Sequence, residues 1–170
     1  MQKLLIIIAM LTLTLTATAH AQSFDCHGPR FRGEGPEINE VHIFCGEIRN
    51  GRDEGYHSEL IRSPLVEGVE RVRPIGRHGV YEGEVRFTNG GVHRSTFFPR
   101  HCSIPQIETS IRYAAAHKFF GNHGDWSFGP SAPLEGGPAY CVGDDGKSLQ
   151  LQLAVTERGG VNTAFPEGRR

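Results

Sequence analysis

The chain is short of net charge, of lysine, of long apolar runs and of closely paired cysteines, and each shortage closes off a class of protein. With 18 Lys+Arg against 19 Asp+Glu in 170 residues, the formal charge is −1. Bulk electrostatics therefore cannot draw the protein to a polyanion, and any nucleic-acid binding must come from a local patch. Beyond Lys3 the only lysines are Lys118 and Lys147. The one nearly apolar run, Leu4 to Leu15, is too short to span a bilayer comfortably, and no second candidate follows it, so no membrane is expected as a partner. The four cysteines contain no C-x-x-C pair, which argues against a structural zinc site. No internal repeat and no low-complexity tract is visible.

What the chain does have is turn formers: 22 Gly and 10 Pro. They exclude a helical bundle or coiled coil and point to many short elements. Apolar residues make up 38% of the sequence, below the usual share but enough for a core. The length suits one domain. Met1-Gln2-Lys3, the apolar run and Ala19-His20-Ala21 have the form of a secretory signal with an A-x-A cleavage site. Residues 1–21 are thus expected to be removed, residues 22–40 to form an irregular N-terminal segment, and residues 41–170 to form the folded domain. No cysteine sits at the cleavage point to carry a lipid. The expected location is secreted or periplasmic. There, Cys26, Cys45, Cys102 and Cys141 are expected to form two disulfides, with three pairings open.

The pattern along the chain predicts an α+β fold. Val80–Phe87 and Val92–Phe98 read as strands joined by Asn89-Gly90-Gly91, whose residues tolerate positive φ. Ser103-Ile104-Pro105-Gln106 is a capping box, and a helix is expected from Ile104 to Phe120, with Ile107, Ile111, Ala114, Ala115 and Lys118 along one side. Gly121–Gly137 reads as loop. Leu149–Val155 alternates with period two and returns through Arg158-Gly159-Gly160 into a strand over Val161–Phe165.

Eight histidines follow the leader. Two have distinctive surroundings: His42 in His42-Ile43-Phe44-Cys45-Gly46-Glu47, and His57 in Gly55-Tyr56-His57, fifteen residues later. Two imidazoles on one pocket suit acid–base chemistry near neutral pH, because one can be neutral while the other is charged. Such a pair can remove a 2′-hydroxyl proton and protonate a leaving 5′-oxygen, provided a cation or donors stabilise the phosphorane between them. The rings are expected to share one side of the molecule, outside the core, and to give a bell-shaped rate profile between about pH 5 and 8.

These two motifs, with Ser95-Thr96-Phe97-Phe98-Pro99 and Val161-Asn162-Thr163-Ala164-Phe165-Pro166 in the same order, resemble the EndoU family of endoribonucleases, in particular its bacterial nuclease domain. The resemblance covers about Val41 to Pro166. It implies two small antiparallel β-sheets with flanking helices, and cleavage of single-stranded RNA at uridylates to a 2′,3′-cyclic phosphate. It implies no required cofactor, with manganese stimulation at most. It casts His42 and His57 as the catalytic pair, with His57 assigned as base and His42 as acid. The family carries a lysine on the strand entering Ser-Thr-Phe-Phe-Pro, where this chain has Gly91-Val92-His93-Arg94. Arg94 is the expected substitute, able to hold charge near a phosphate but not to give up a proton. Val92, Arg94 and Thr96 should share one face of the strand, with His93 and Ser95 on the other. Phe165 stands where the family commonly has Tyr. Its ring can stack on a base, while Thr96 and Thr163 are expected to position the nucleotide. Tyr56, His93, Lys118, His123 beside Trp126, and Glu47 rank lower as site candidates.

Two other readings compete. The missing Lys and Tyr would suit a catalytically degenerate relative that binds RNA or protein without turnover. A histidine-lined metal-binding protein is the weaker alternative, since the His42–His57 spacing offers no obvious third ligand. A monomer is expected. No immunity protein or other inhibitor can be inferred.

Overall fold

A computed structural model describes residues 24–75, 78–120 and 126–168. The expected leader, residues 1–21, and His123 lie outside the described residues. Eleven strands, one α-helix and one π-helical turn make up the described chain. It is mostly β, with several small sheets and one helix, where two sheets and flanking helices were expected.

The largest sheet has six strands in the order β1-β2-β11-β10-β9-β8. These are β1 Phe31–Arg32, β2 Ile38–Asn39, β8 Phe119–Phe120, β9 Trp126–Pro130, β10 Gln150–Val155 and β11 Val161–Pro166. Its pairings are antiparallel except for the single parallel bridge between Val161 and Ile38. The predicted β10–β11 hairpin is present, with Leu151 and Leu153 buried and Gln150 and Gln152 half-buried, as alternation requires. The stretch read as loop contains β9, and part of the N-terminal segment supplies β1 and β2.

Helix α1 covers Ile104–Ala116 and packs on this sheet. Gln106 closes the capping box, accepting from the Ser103 backbone N–H at 2.8 Å. Ile107, Ile111, Ala114 and Ala115 face the core. The helix stops one turn earlier than predicted. Lys118 falls outside it, and Phe119 and Phe120 pair with β9 instead. Gly129 lets the helix approach closely, because a Cβ there would lie 2.3 Å from the Ala114 carbonyl oxygen. The Cys102–Cys141 disulfide ties the N-terminal end of α1 to the chain leading into β10.

A three-stranded antiparallel sheet runs β5-β6-β7, comprising β5 Val66–Pro74, β6 Tyr81–Phe87 and β7 Val92–Phe97. The 81–97 hairpin keeps the predicted alternation. Tyr81, Val85, Phe87 and Phe97 form a second core cluster with Tyr56. The opposite face carries an ion-pair ladder in which Arg71 meets Glu84, Arg86 meets Glu70, and Arg73 and Arg94 meet Glu82. A small β3–β4 hairpin, Glu47–Arg49 with Arg52–Glu54, completes the fold. Between the two main sheets lie the π-helical turn Val41–Cys45 and the segment Gly55–His57. The second disulfide, Cys26–Cys45, fastens the N-terminal segment to the end of that turn.

Candidate active site

Three elements converge where the sheets meet. The π-helical turn presents His42, and Asn39 anchors it, accepting from the His42 backbone N–H at 3.2 Å while its amide reaches Asn162 on β11. The segment 55–57 lies against this turn. Tyr56 N–H donates to the His42 carbonyl at 2.9 Å and His57 N–H to the Ile43 carbonyl at 2.7 Å. On its other side the Phe98 N–H donates to the His57 carbonyl at 3.0 Å. The two histidines are therefore fixed through backbone as well as side chain.

Their rings lie 5.8 Å apart, centroid to centroid. The expected convergence is present. The expected openness is not, because each residue is only 5% exposed. His57 is covered by Phe165, whose ring stacks on it at 4.8 Å, and Trp126 meets Phe165 edge-on at 5.7 Å. The rings sit at the junction of the two hydrophobic clusters, under an aromatic cover supplied by β9 and β11.

The hydrogen bonds assign the tautomers. His57 Nδ1 lies 2.9 Å from the Thr96 carbonyl oxygen, which can only accept, so Nδ1 carries the proton. Ser95 Oγ lies 2.8 Å from the same nitrogen. This leaves the Nε2 lone pair free to accept from the Thr163 hydroxyl at 3.2 Å. Burial, with a further push from His42, lowers the His57 pKa to about 3. His57 is thus held neutral with its basic nitrogen under Thr163.

His42 is held differently. Its Nδ1 donates to Glu47 Oε2 at 3.0 Å. Glu47 also takes two hydrogen bonds from Arg30, Nε to Oε1 at 2.6 Å and Nη2 to Oε2 at 3.0 Å. Burial alone would raise the Glu47 carboxyl, but the bonds from His42 and Arg30 outweigh it and hold the pKa down at about 2. A protonated His42 has its counter-ion in place.

The remaining candidates divide by strand face. Thr163 and Phe165 both touch His57. Thr96 meets it through its carbonyl oxygen, while its side chain stands on the face of its cross-strand partner Glu82. Arg94 is not brought to the pair. Its side chain is 63% exposed and lies 3.7 Å from Glu82 on the outer ladder. His93 stands on the inner face with Ser95, through regular pairing and without a bulge. It is half-buried, and its pKa is lowered first by desolvation, with a further contribution from His42. Tyr56 is core, and Lys118 donates to the Ala115 carbonyl. Arg30 and Asn39 had no sequence signal beyond the tether that Cys26 provides. Ser95 was placed on its proper face by alternation, without its partner.

A family model described as bacterial EndoU nuclease matches residues 36–168. No curated protein and no solved structure matches the chain.

Proposed function

Since the chain belongs to the bacterial EndoU nuclease family, we propose that it cleaves single-stranded RNA at uridylates by transesterification at phosphorus, with His57 as base and His42 as acid. The observation that carries this reading is the pair of rings 5.8 Å apart, each with Nδ1 already engaged, one on a carbonyl and one on a carboxylate. That division leaves two Nε2 atoms for chemistry, one aproned by a hydroxyl and one backed by a negative charge.

In the proposed reaction the substrate displaces the Thr163 hydroxyl from His57 Nε2. That nitrogen takes the 2′-hydroxyl proton as the 2′-oxygen bonds to phosphorus. The 5′-oxygen leaves with the proton from His42 Nε2, and a 2′,3′-cyclic phosphate remains. Thr163 then faces the uracil edge or a phosphate oxygen, and Phe165 moves off the His57 ring to stack on the base. No step runs through manganese. Glu47, the carboxylate bonded to His42, is committed to Arg30 and His42. The two disulfides suit an oxidising compartment outside the cytoplasm.

Digestion of a labelled oligonucleotide with a single uridine tests the proposal. Cleavage 3′ to that uridine, in EDTA, with a cyclic-phosphate product and loss in both His42→Ala and His57→Ala, is the expected result. The burial of both rings and the position of Arg94 favour one competitor, a relative that binds RNA without turnover. Tight binding of uridine-rich RNA with no product, at any manganese concentration, would decide for it.

A further inference from the structure

The Cys26–Cys45 disulfide closes a loop that contains both Arg30 and His42. Cys45 ends the π-helical turn on which His42 sits, and Glu47 follows two residues later. Arg30 grips both Glu47 oxygens in a fork, and one of those oxygens also receives the His42 Nδ1–H. The bridge, the guanidinium, the carboxylate and the imidazole form one continuous chain of contacts. The segment bearing Arg30 has other contacts too: Phe24 meets Phe44 edge-on, Arg32 lies over Phe24 and 3.9 Å from Glu40, and the two-residue β1 pairs with β2.

We propose that Arg30 and the Cys26–Cys45 disulfide act together as a redox-conditioned clamp that orients His42, so that the nuclease reaches its full rate only once this bridge has formed. The inference rests on the catalytic reading of His42 given above. Arg30 is a positioning residue, because it acts through Glu47. A bidentate guanidinium fixes the plane of a carboxylate as well as its charge, and a carboxylate held in one plane holds the imidazole that donates to it. A dithiol reductant would take the disulfide to two cysteine thiols, the two electrons and two protons coming from the dithiol, which is itself oxidised. The segment bearing Arg30 then loses its covalent tie to the turn. Glu47 keeps its charge but is free to rotate, and His42 with it. A chain still in a reducing compartment would be a slow nuclease.

The experiment uses the full oxidised chain and four variants: Arg30→Ala, Arg30→Lys, the Cys26→Ser/Cys45→Ser double, and the Cys102→Ser/Cys141→Ser double as control. The rate on the single-uridine oligonucleotide is measured per folded molecule. Arg30→Ala is expected to lower kcat at least tenfold with KM within twofold, and Arg30→Lys to recover part of the loss. The Cys26→Ser/Cys45→Ser double should lose as much as Arg30→Ala, and combining the two should add little more. The control double should keep kcat within threefold while unfolding at lower urea. Nitrogen-15 spectra of the imidazoles should show the His42 Nδ1–H signature weakened in Arg30→Ala. Wild-type kcat in Arg30→Ala or in the Cys26→Ser/Cys45→Ser double, or equal losses in both cysteine doubles, would overturn the clamp. Should the oxidised wild type make no product, the nuclease reading fails instead. The imidazole spectrum then decides the clamp by itself, and an unchanged His42 signature in Arg30→Ala rejects it.

Discussion

A histidine that acts as a base needs one ring nitrogen holding its proton and the other holding a lone pair. His57 meets that requirement through the Thr96 carbonyl, and its burial keeps the ring neutral well below the usual histidine range. The sequence alone led to a bell with limbs between about pH 5 and 8. With the free base at about 3, the acid limb of kcat/KM is expected below pH 5, since that limb reports the unliganded enzyme. A limb at pH 6 would show that the base is not held neutral by burial in the way this fold holds His57. His57→Ala and His42→Ala should each cost roughly 10²–10⁴ in kcat, the usual worth of a positioned proton-transfer group. Arg94 lies on the far face of β7 and pairs with Glu82. Arg94→Ala is therefore expected to change cleavage by less than about threefold, because an exposed ion pair contributes little. A loss approaching that of the histidine variants would mean that Arg94 swings round to the phosphate.

The element that does most to place the site is the turn Gly55-Tyr56-His57. Gly55 has φ +80°, and a Cβ there would lie 2.1 Å from the His42 carbonyl oxygen. Tyr56 follows with φ +60°, a conformation that costs a non-glycine residue about 1 kcal/mol or more. Its ring, packed against Phe97, helps offset this. Gly55→Ala should destabilise the fold by about 2 kcal/mol or more, through strain and a backbone collision that cannot relax cheaply. It should also push the two imidazoles apart. A urea midpoint and cleavage rate matching wild type would contradict this placement. The hairpin strands, the capped helix and the β10–β11 pair were legible because their signals are local: alternation, Asn89-Gly90-Gly91, and Ser103 with Gln106. The strands β5 and β9 were not, because β5 carries alternating charges that pair only across the sheet, and β9 sits among Gly, Pro and Ser. In the site, the meeting of His42, His57, Thr163 and Phe165 was legible from motif order. The Arg30–Glu47 link was not, since it joins residues 17 apart across an irregular segment with no local pattern to announce the pairing.

Over the whole molecule, the two core clusters are joined at the buried histidine pair, and that junction couples stability to pH. Each disulfide adds about 3–4 kcal/mol by restricting the unfolded chain across separations of 19 and 39 residues, so the oxidised protein should tolerate the loss of a few kcal/mol in acid without unfolding. The direction follows from where the proton binds. Unfolded His57 takes a proton near pH 6.5, while the folded ring refuses it until about pH 3. Between these values the unfolded state binds more protons, so stability is complete above about pH 6.5 and falls as pH drops. Glu47 adds a second loss in the same direction, lower down, from about 4.5 to about 2. Between pH 7 and pH 5 the His57 contribution alone should lower the unfolding free energy by about 2 kcal/mol. Urea titrations of the oxidised chain at pH 7, 6 and 5 measure the slope, and His57→Gln, which cannot take up the proton, should flatten it by that amount. His93, shifted in the same direction, remains in the variant and leaves a residual slope. Identical slopes in the two proteins would mean that the His57 ring is not held neutral in the fold.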